Sequence, residues 1–363
     1  MPDQTADVSS LDAVIQAHEK YVLGLAGGRR ADLKFFRAPA TDWSGRRLDD
    51  IELSGAYLAE ANLAGANLSR ASLNCANLVR ANLSGTNLWH ADLRGARIQG
   101  ANFEFADMDG ADFRQATIAM IDPGGKWTAP GTEKGPAFVS FANCSLRGAK
   151  LNNANLKNAK FDGAMLNEVS FAGATLDNAT FEGAVLVGVN LKELRVQPGR
   201  LRNCIIDPRP ESHSRLSRCL AMLDEAQQWA RTDGREGRQA SFEGEDIRLL
   251  ARHMKDRALT GINLARTIAV NTDFARCELQ AAKFDGADLR GASFYGADLR
   301  GASFAGANLA HANFTQANLL PLVLESGKKI TTSFEGALLD RANFSDAQGR
   351  RASDLRRGAL IET

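Results

Sequence analysis

The chain has 363 residues, with 44 Lys and Arg against 43 Asp and Glu and a formal net charge of +1. So balanced a surface argues against a dedicated phosphate-binding face and equally against a polyanion that imitates DNA. No stretch approaches the ~18 uninterrupted apolar residues of a membrane span. The opening MPDQTADVSS has no signal-peptide pattern, and five scattered cysteines without a C-x-x-C pair predict reduced thiols in a cytoplasmic protein.

The first predicted element is a helix, placed within an N-terminal helical cap over 1–30. Leu11, Val14, Ile15, His18 and Val22 share one face, with Ser9 or Ser10 as N-cap and Gly24 to Gly28 as the stop. Over 31–120 the pattern changes. Every fifth residue from Leu48 to Ile118 is large and apolar, beginning Leu48, Leu53, Leu58, Leu63 and ending Phe103, Met108, Phe113, Ile118. A small residue, usually Ala, stands two before each, as at Ala56, Ala61, Ala66 and Ala71. A five-residue period fits neither a helix at 3.6 nor a strand at 2, and it predicts a repeat solenoid.

The segment 121–138 interrupts the series. It is rich in Pro and Gly, shifts the register by three, and carries Lys126 and Trp127, which makes it a candidate interaction loop. The spacing resumes over 139–206, from Phe141 and Leu146 to Leu191, then more weakly through Val196, Leu201 and Ile206. A helical segment over 207–258 follows. Leu216, Leu220, Leu223 and Ala226 line one face of a helix from Ser212 or Ser214 to Gly234, and a shorter helix is expected around Asp246 to Met254.

The third series occupies 259–347, with Leu259, Leu264, then Phe274 through Leu319, resuming at Phe334. It loses its phase over 320–331, where Lys328 and Lys329 mark a second candidate loop. The remaining 348–363 reads as a tail or a cap. The spacing from Tyr21 to Leu33 and Leu48 is nearly repeated from Trp229 to Phe242 and Leu259, so two modules are expected, each a helix, a Gly-rich link and a coil.

The pentads Ala61-Asn62-Leu63-Ala64-Gly65 and Ala287-Asp288-Leu289-Arg290-Gly291 carry a specific resemblance. The chain resembles the pentapeptide-repeat family, whose consensus is A-(D/N)-L-x-x. The resemblance implies an all-β solenoid, a right-handed quadrilateral (four-faced) parallel β-helix with four pentads to a coil. The helices read as α-helical capping segments over otherwise open coil ends. Phe and Leu alternate in both later series, so on four faces Phe stacks on Phe; Phe161, Phe171, Phe181, Phe284, Phe294, Phe304 and Phe314 form the expected core stack.

No reactive constellation is legible. His18, His90, His213, His253 and His311 do not pair at metal-ligand spacing, and there is no phosphate loop or nucleophile elbow. Asp288, Asp298 and Asn308 read as one solvated ladder. The expectation is a non-enzymatic protein-interaction scaffold with an unidentified protein partner and no cofactor, metal, membrane span or direct nucleic-acid contact. The family resemblance implies an alternative, a DNA-mimicking modulator of DNA gyrase or topoisomerase. A third reading, an enzyme or effector built on Pro208 to Arg257, lacks a polar constellation there.

Overall fold

The computed structural model describes residues 8–117, 120–121, 127–128, 138–201, 203–207 and 213–349. The basic tail around Leu355, Leu360 and Ile361 lies outside the described residues. The chain divides into two compact units, Met1–Asp207 and Pro208–Thr363.

The pentad explains its own sequence through hydrogen bonding. In Ala61–Gly65, the N–H of Ala61 closes a turn onto the Leu58 carbonyl (3.1 Å), and that of Asn62 donates to Thr41 in the coil before (2.8 Å). The amides of Leu63 and Gly65 donate to Asn82 and Ser84 in the coil after, at 2.7 and 2.9 Å. That leaves the N–H of Ala64, which donates to the Asn62 side-chain Oδ1 at 3.3 Å. Every donor of the pentad is used, and the last explains why Asn or Asp recurs at the second position. Ser44 on Asp42 and Ser69 on Asn67 repeat the device.

Single-residue parallel bridges join Asn62 to Asn82, Asn82 to Asn102, Asp288 to Asn308 and so on through both units, twenty residues apart. Four pentads therefore close one coil. The fifth residue of each pentad takes a left-handed backbone, as in Gly65 (φ 66°) and Gly286 (φ 66°). Glycine has no Cβ to clash there. Many side-chain-bearing residues, such as Asp50, Arg70 and His90, adopt the same conformation. Each costs about 1–2 kcal/mol, offset by the inter-coil bond its own N–H makes, as in Asp50 to Ser69 at 2.9 Å.

Bridges mark where the period breaks. Asn102 pairs with Ser140, across the first interruption, and Ser303 pairs with Ser333, across the second. The coil itself thus continues across each, and the described residues of each interruption leave its path as excursions. Strands β1 (Met120–Ile121) and β2 (Trp127–Thr128) pair antiparallel within the first excursion. The coil of unit 1 begins before its apolar series becomes regular at Leu48. Asp32 bridges Glu52, and Leu33, Ala38, Trp43 and Leu48 fill the first coil.

Helix α1, Val8–Val22, packs Ile15 and Leu11 against that first coil. Ser9 and Ser10 lie inside the helix rather than capping it. Val14 faces outward, 38 % exposed, so the buried stripe is narrower than the periodicity indicates. Arg46 of the first coil forms ion pairs with Asp12 and Glu19 of α1. In unit 2, helix α2, His213–Arg231, buries Cys219, Leu223 and Ala226 in the core that holds Phe242. Arg215 pairs with Glu245 at 2.6 Å and Asp224 with Arg257 at 2.7 Å. The helix expected over Asp246 to Met254 is reduced to a 3₁₀ turn, Arg248–Leu250. Its Leu250, with Met254, is buried in the first coil, so these residues serve as a rung.

The interior is largely apolar, with rung residues such as Leu63, Leu68, Phe171 and Phe294 wholly buried and Thr86, Thr267 and Thr272 taking the small inward position in three pentads. Burying one such side chain contributes ~1.5–3 kcal/mol. Phe284 stacks on Phe304 (4.8 Å, 2°) and Phe294 on Phe314 (4.8 Å, 11°), while Phe284 meets Phe294 edge-on at 88°. Unit 1 repeats this with Phe161 on Phe181 (5.1 Å, 8°), and Phe171 meets both edge-on. Stacked and edge-to-face rings are the favoured aromatic geometries.

Candidate interaction surfaces

With the interior filled, side chains able to act stand on the outer walls and on the excursions. The walls are laced by charge pairs of a recurring form, in which the second residue of a pentad holds the fourth. Asp92 holds Arg94, Asp112 holds Arg114, Asp288 holds Arg290 and Asp298 holds Arg300, each at 2.6 Å. A second form runs between coils: Asp50 with Arg70 (2.6 Å), and Glu60 with Arg80. The hydrogen bonds from Arg70 hold the Asp50 carboxyl below the usual carboxylate range. Exposed pairs of this kind contribute little stability, ~0–1 kcal/mol. Their effect is to neutralise the walls locally.

Asp288, Asp298 and Asn308 do not make one ladder. Asp288 bridges Asn308, whereas Asp298 bridges Glu278 and Asn318 on a different face, because residues ten apart sit half a coil from each other. Among the described residues no group of three or more His, Cys, Asp or Glu is placed to hold a metal ion. His90 lies edge-on against the exposed Trp89 (4.1 Å, 89°) on an outer wall of unit 1. Periodicity gives no warning of this pair, since both occupy positions read as generic polar corners.

The second excursion is a hairpin. Strands β3 (Leu322–Val323) and β4 (Lys329–Ile330) pair antiparallel, Leu322 with Ile330 and Val323 with Lys329. Its inner side rests on the coil at Gly301, where an added Cβ would lie 3.0 Å from Leu322 Cβ and 3.4 Å from Ile330 Cγ2. Thr332 Oγ1 ties its base to the Leu299 carbonyl at 2.8 Å. Its outer side shows Leu320, Val323 (58 % exposed) and Leu324 beside the exposed Lys328 and Lys329. The structure therefore groups the two lysines with three exposed aliphatic residues. In the first excursion, Trp127 pairs with Ile121 in the β1–β2 ribbon, while Lys126 lies outside the described residues.

Among the described residues no helix is long and apolar enough to cross a membrane. A family profile described as pentapeptide repeats matches the chain in eight copies, over 51–89, 76–115, 140–171, 166–197, 259–294 and 292–320. No curated protein matches the chain. Similar solved structures include a pentapeptide repeat protein of the Arabidopsis thaliana thylakoid lumen, 24% identical with TM-score 0.20, the match covering 35% of this chain and 66% of that one. HetL of the cyanobacterium Nostoc sp. strain PCC 7120, involved in heterocyst differentiation regulation, is 17% identical over 89% of this chain and 99% of its own, with TM-score 0.20. QnrB1, a plasmid-mediated fluoroquinolone resistance protein, is 20% identical over 52% of this chain and 88% of its own, with TM-score 0.20. None of the geometry described above depends on these likenesses.

Proposed function

The chain belongs to the pentapeptide repeat family, and from that premise we propose that it is a non-enzymatic protein-interaction scaffold. Members of the family fold as right-handed quadrilateral β-helices, and we assign both coils here to that form, with α1 and α2 as their caps. The observation that carries the functional reading is the β3–β4 hairpin. Its inner side is fixed to the coil at Gly301 and Leu299, and its outer side presents Leu320, Val323 and Leu324 with Lys328 and Lys329. A preordered apolar patch with a basic rim lowers the ordering cost of association. The protein partner it suits has an apolar contact rimmed by carboxylates. The free thiols of Cys75, Cys144, Cys219 and Cys277 support a reducing compartment, and we place the protein in the cytoplasm.

Affinity capture on the wild-type chain and on V323E/K328E tests this. The scaffold reading expects one or more stoichiometric partners that the variant loses while its thermal unfolding is unchanged. Identical captured sets would overturn the hairpin's role.

The gyrase reading is weaker on the geometry. A DNA mimic needs uncompensated carboxylates along a wall, whereas Asp92, Asp112, Asp288 and Asp298 are each paired with an arginine two residues on. Supercoiling by gyrase in the presence of the protein, with and without a quinolone, separates the two. No change at micromolar protein is the expected result.

A further inference from the structure

The coil of unit 1 does not end cleanly. One coil before its end, the strand Ala154–Asn158 binds the next through three bonds. Leu156 N–H donates to Thr175 (2.8 Å), Asn158 N–H donates to Asp177 (2.7 Å), and the Ala154 carbonyl accepts Thr175 N–H (2.9 Å). The strand Ala174–Asn178 has the same three groups pointing onward. Continued stacking would place Arg195–Gln197 against them, as Val185 is met by Ile205 on another face of the same coil. Here the partners fail to meet. Among the described residues the amides of Leu176 and Asn178 find no backbone acceptor, and no bridge joins Thr175 to Arg195. Between the two segments lies a cleft of about 370 Å³. Its floor opens toward the core, for Ala174 is only partly buried whereas Ala154 and Ala164 in the same inward position are fully so.

The charges around the cleft are uneven. Arg195 and Arg200 both line it. Among the described residues Arg195 makes no ion pair or side-chain hydrogen bond, and Arg200 makes one contact, from Nη1 to the Ala179 carbonyl at 3.4 Å. Asp177 also lines the cleft, so its lining holds two arginines and one aspartate. Arginine is suited to planar, two-point recognition of carboxylates. The open donors and acceptor match what one extended strand supplies, which is how peptides add to sheet edges.

We propose that this coil-end cleft binds an extended peptide segment bearing an acidic side chain, its backbone pairing with Ala174–Asn178 and its carboxylate held by Arg195 and Arg200. This deepens the scaffold reading by adding a peptide-recognition site in unit 1. It rests on geometry separate from the hairpin of unit 2.

The test uses the full chain and a phage-displayed library of short random peptides. Enriched peptides are synthesised with a fluorescent tag and titrated by anisotropy. We expect enrichment of sequences containing Asp or Glu, and affinity reduced at least about tenfold by R195A/R200A. Methylating the backbone nitrogens of the peptide should abolish binding, which a purely electrostatic contact would not show. V323E/K328E should bind the same peptides unchanged, so failure of the hairpin reading and failure of this one are distinguishable. Both arginines are exposed, and an unchanged melting curve confirms that R195A/R200A folds. No enrichment over the R195A/R200A control, or equal affinity for both proteins, would overturn the proposal.

Discussion

The Nδ1 atom of His18, on α1, accepts the backbone N–H of Ala31 at the mouth of the first coil, 3.1 Å away. The imidazole is wholly buried. A ring that accepts through Nδ1 must be neutral there, with its proton on Nε2. Burial pushes its pKa below the ordinary 6.5, against the opposing pull of Asp49 and Asp50, while Arg30 adds to the lowering.

The sign of the pH dependence follows. The unfolded chain binds a proton more readily than the folded one, so His18 costs no stability above pH 6.5 and destabilises increasingly below it. Amide exchange in Val8–Val22, corrected for intrinsic pH effects, should accelerate between pH 7.5 and 5.5 in the wild type and much less in H18Q. Equal acceleration in both would remove His18 as the cause.

Phe294 lies between Phe274 (5.1 Å, 5°) and Phe314 (4.8 Å, 11°), with Phe284 and Phe304 edge-on to it. F294A should therefore destabilise unit 2 by ~3–5 kcal/mol, from lost transfer energy and the cavity left in a stack that cannot collapse. F294L should cost markedly less. Chemical denaturation followed by tryptophan fluorescence, with Trp229 in unit 2, measures both. A loss under about 1 kcal/mol for F294A would be incompatible with a packed column.

Gly301 combines a left-handed backbone (φ 70°) with the contact that seats the hairpin. G301A should cost about 1–2 kcal/mol from the backbone alone, and the new methyl must displace Leu322. Proteolysis should then cut between Leu320 and Thr332 faster than in the wild type, while G306A, whose added Cβ meets nothing, should not change the cutting rate.

The thiols report the inside and outside of the coil without any mutation. Cys75 is exposed, whereas Cys144, Cys219 and Cys277 are buried. Burial pushes the Cys144 thiol well up and that of Cys277 to about 12. Iodoacetamide at pH 8 should label Cys75 first, with Cys144, Cys219 and Cys277 reacting only on unfolding. Mass-spectrometric peptide mapping reads this directly.

Much of the coil is legible because one residue type per position answers one physical demand. Ala and Leu fill the interior, Asn or Asp closes the turn, and Gly tolerates the corner, so Leu48 to Ile118 announces itself. The first coil does not. Ala38 stands where a large residue is expected, Trp43 breaks the aliphatic run, and coil-to-coil pairing rather than periodicity reveals that Leu33 begins the stack. Arg248–Leu250 imitates a helix because apolar spacing of three to four residues also suits a tight turn between rungs. The hairpin is too short for strand alternation to show, and Gly301 looks like any other corner glycine. The cleft at Arg195 is the least legible feature, since it arises from bonds that fail to form.

The claim on which the account turns is that residues twenty apart lie one above the other. Cysteine pairs in a C75S background test it directly. N62C/N82C should close a disulfide on mild oxidation, since these positions are bridged and their side chains already touch at 3.1 Å. N62C/N77C should remain reduced. Oxidation of N62C/N77C in preference to N62C/N82C would mean a three-pentad coil and would contradict the account.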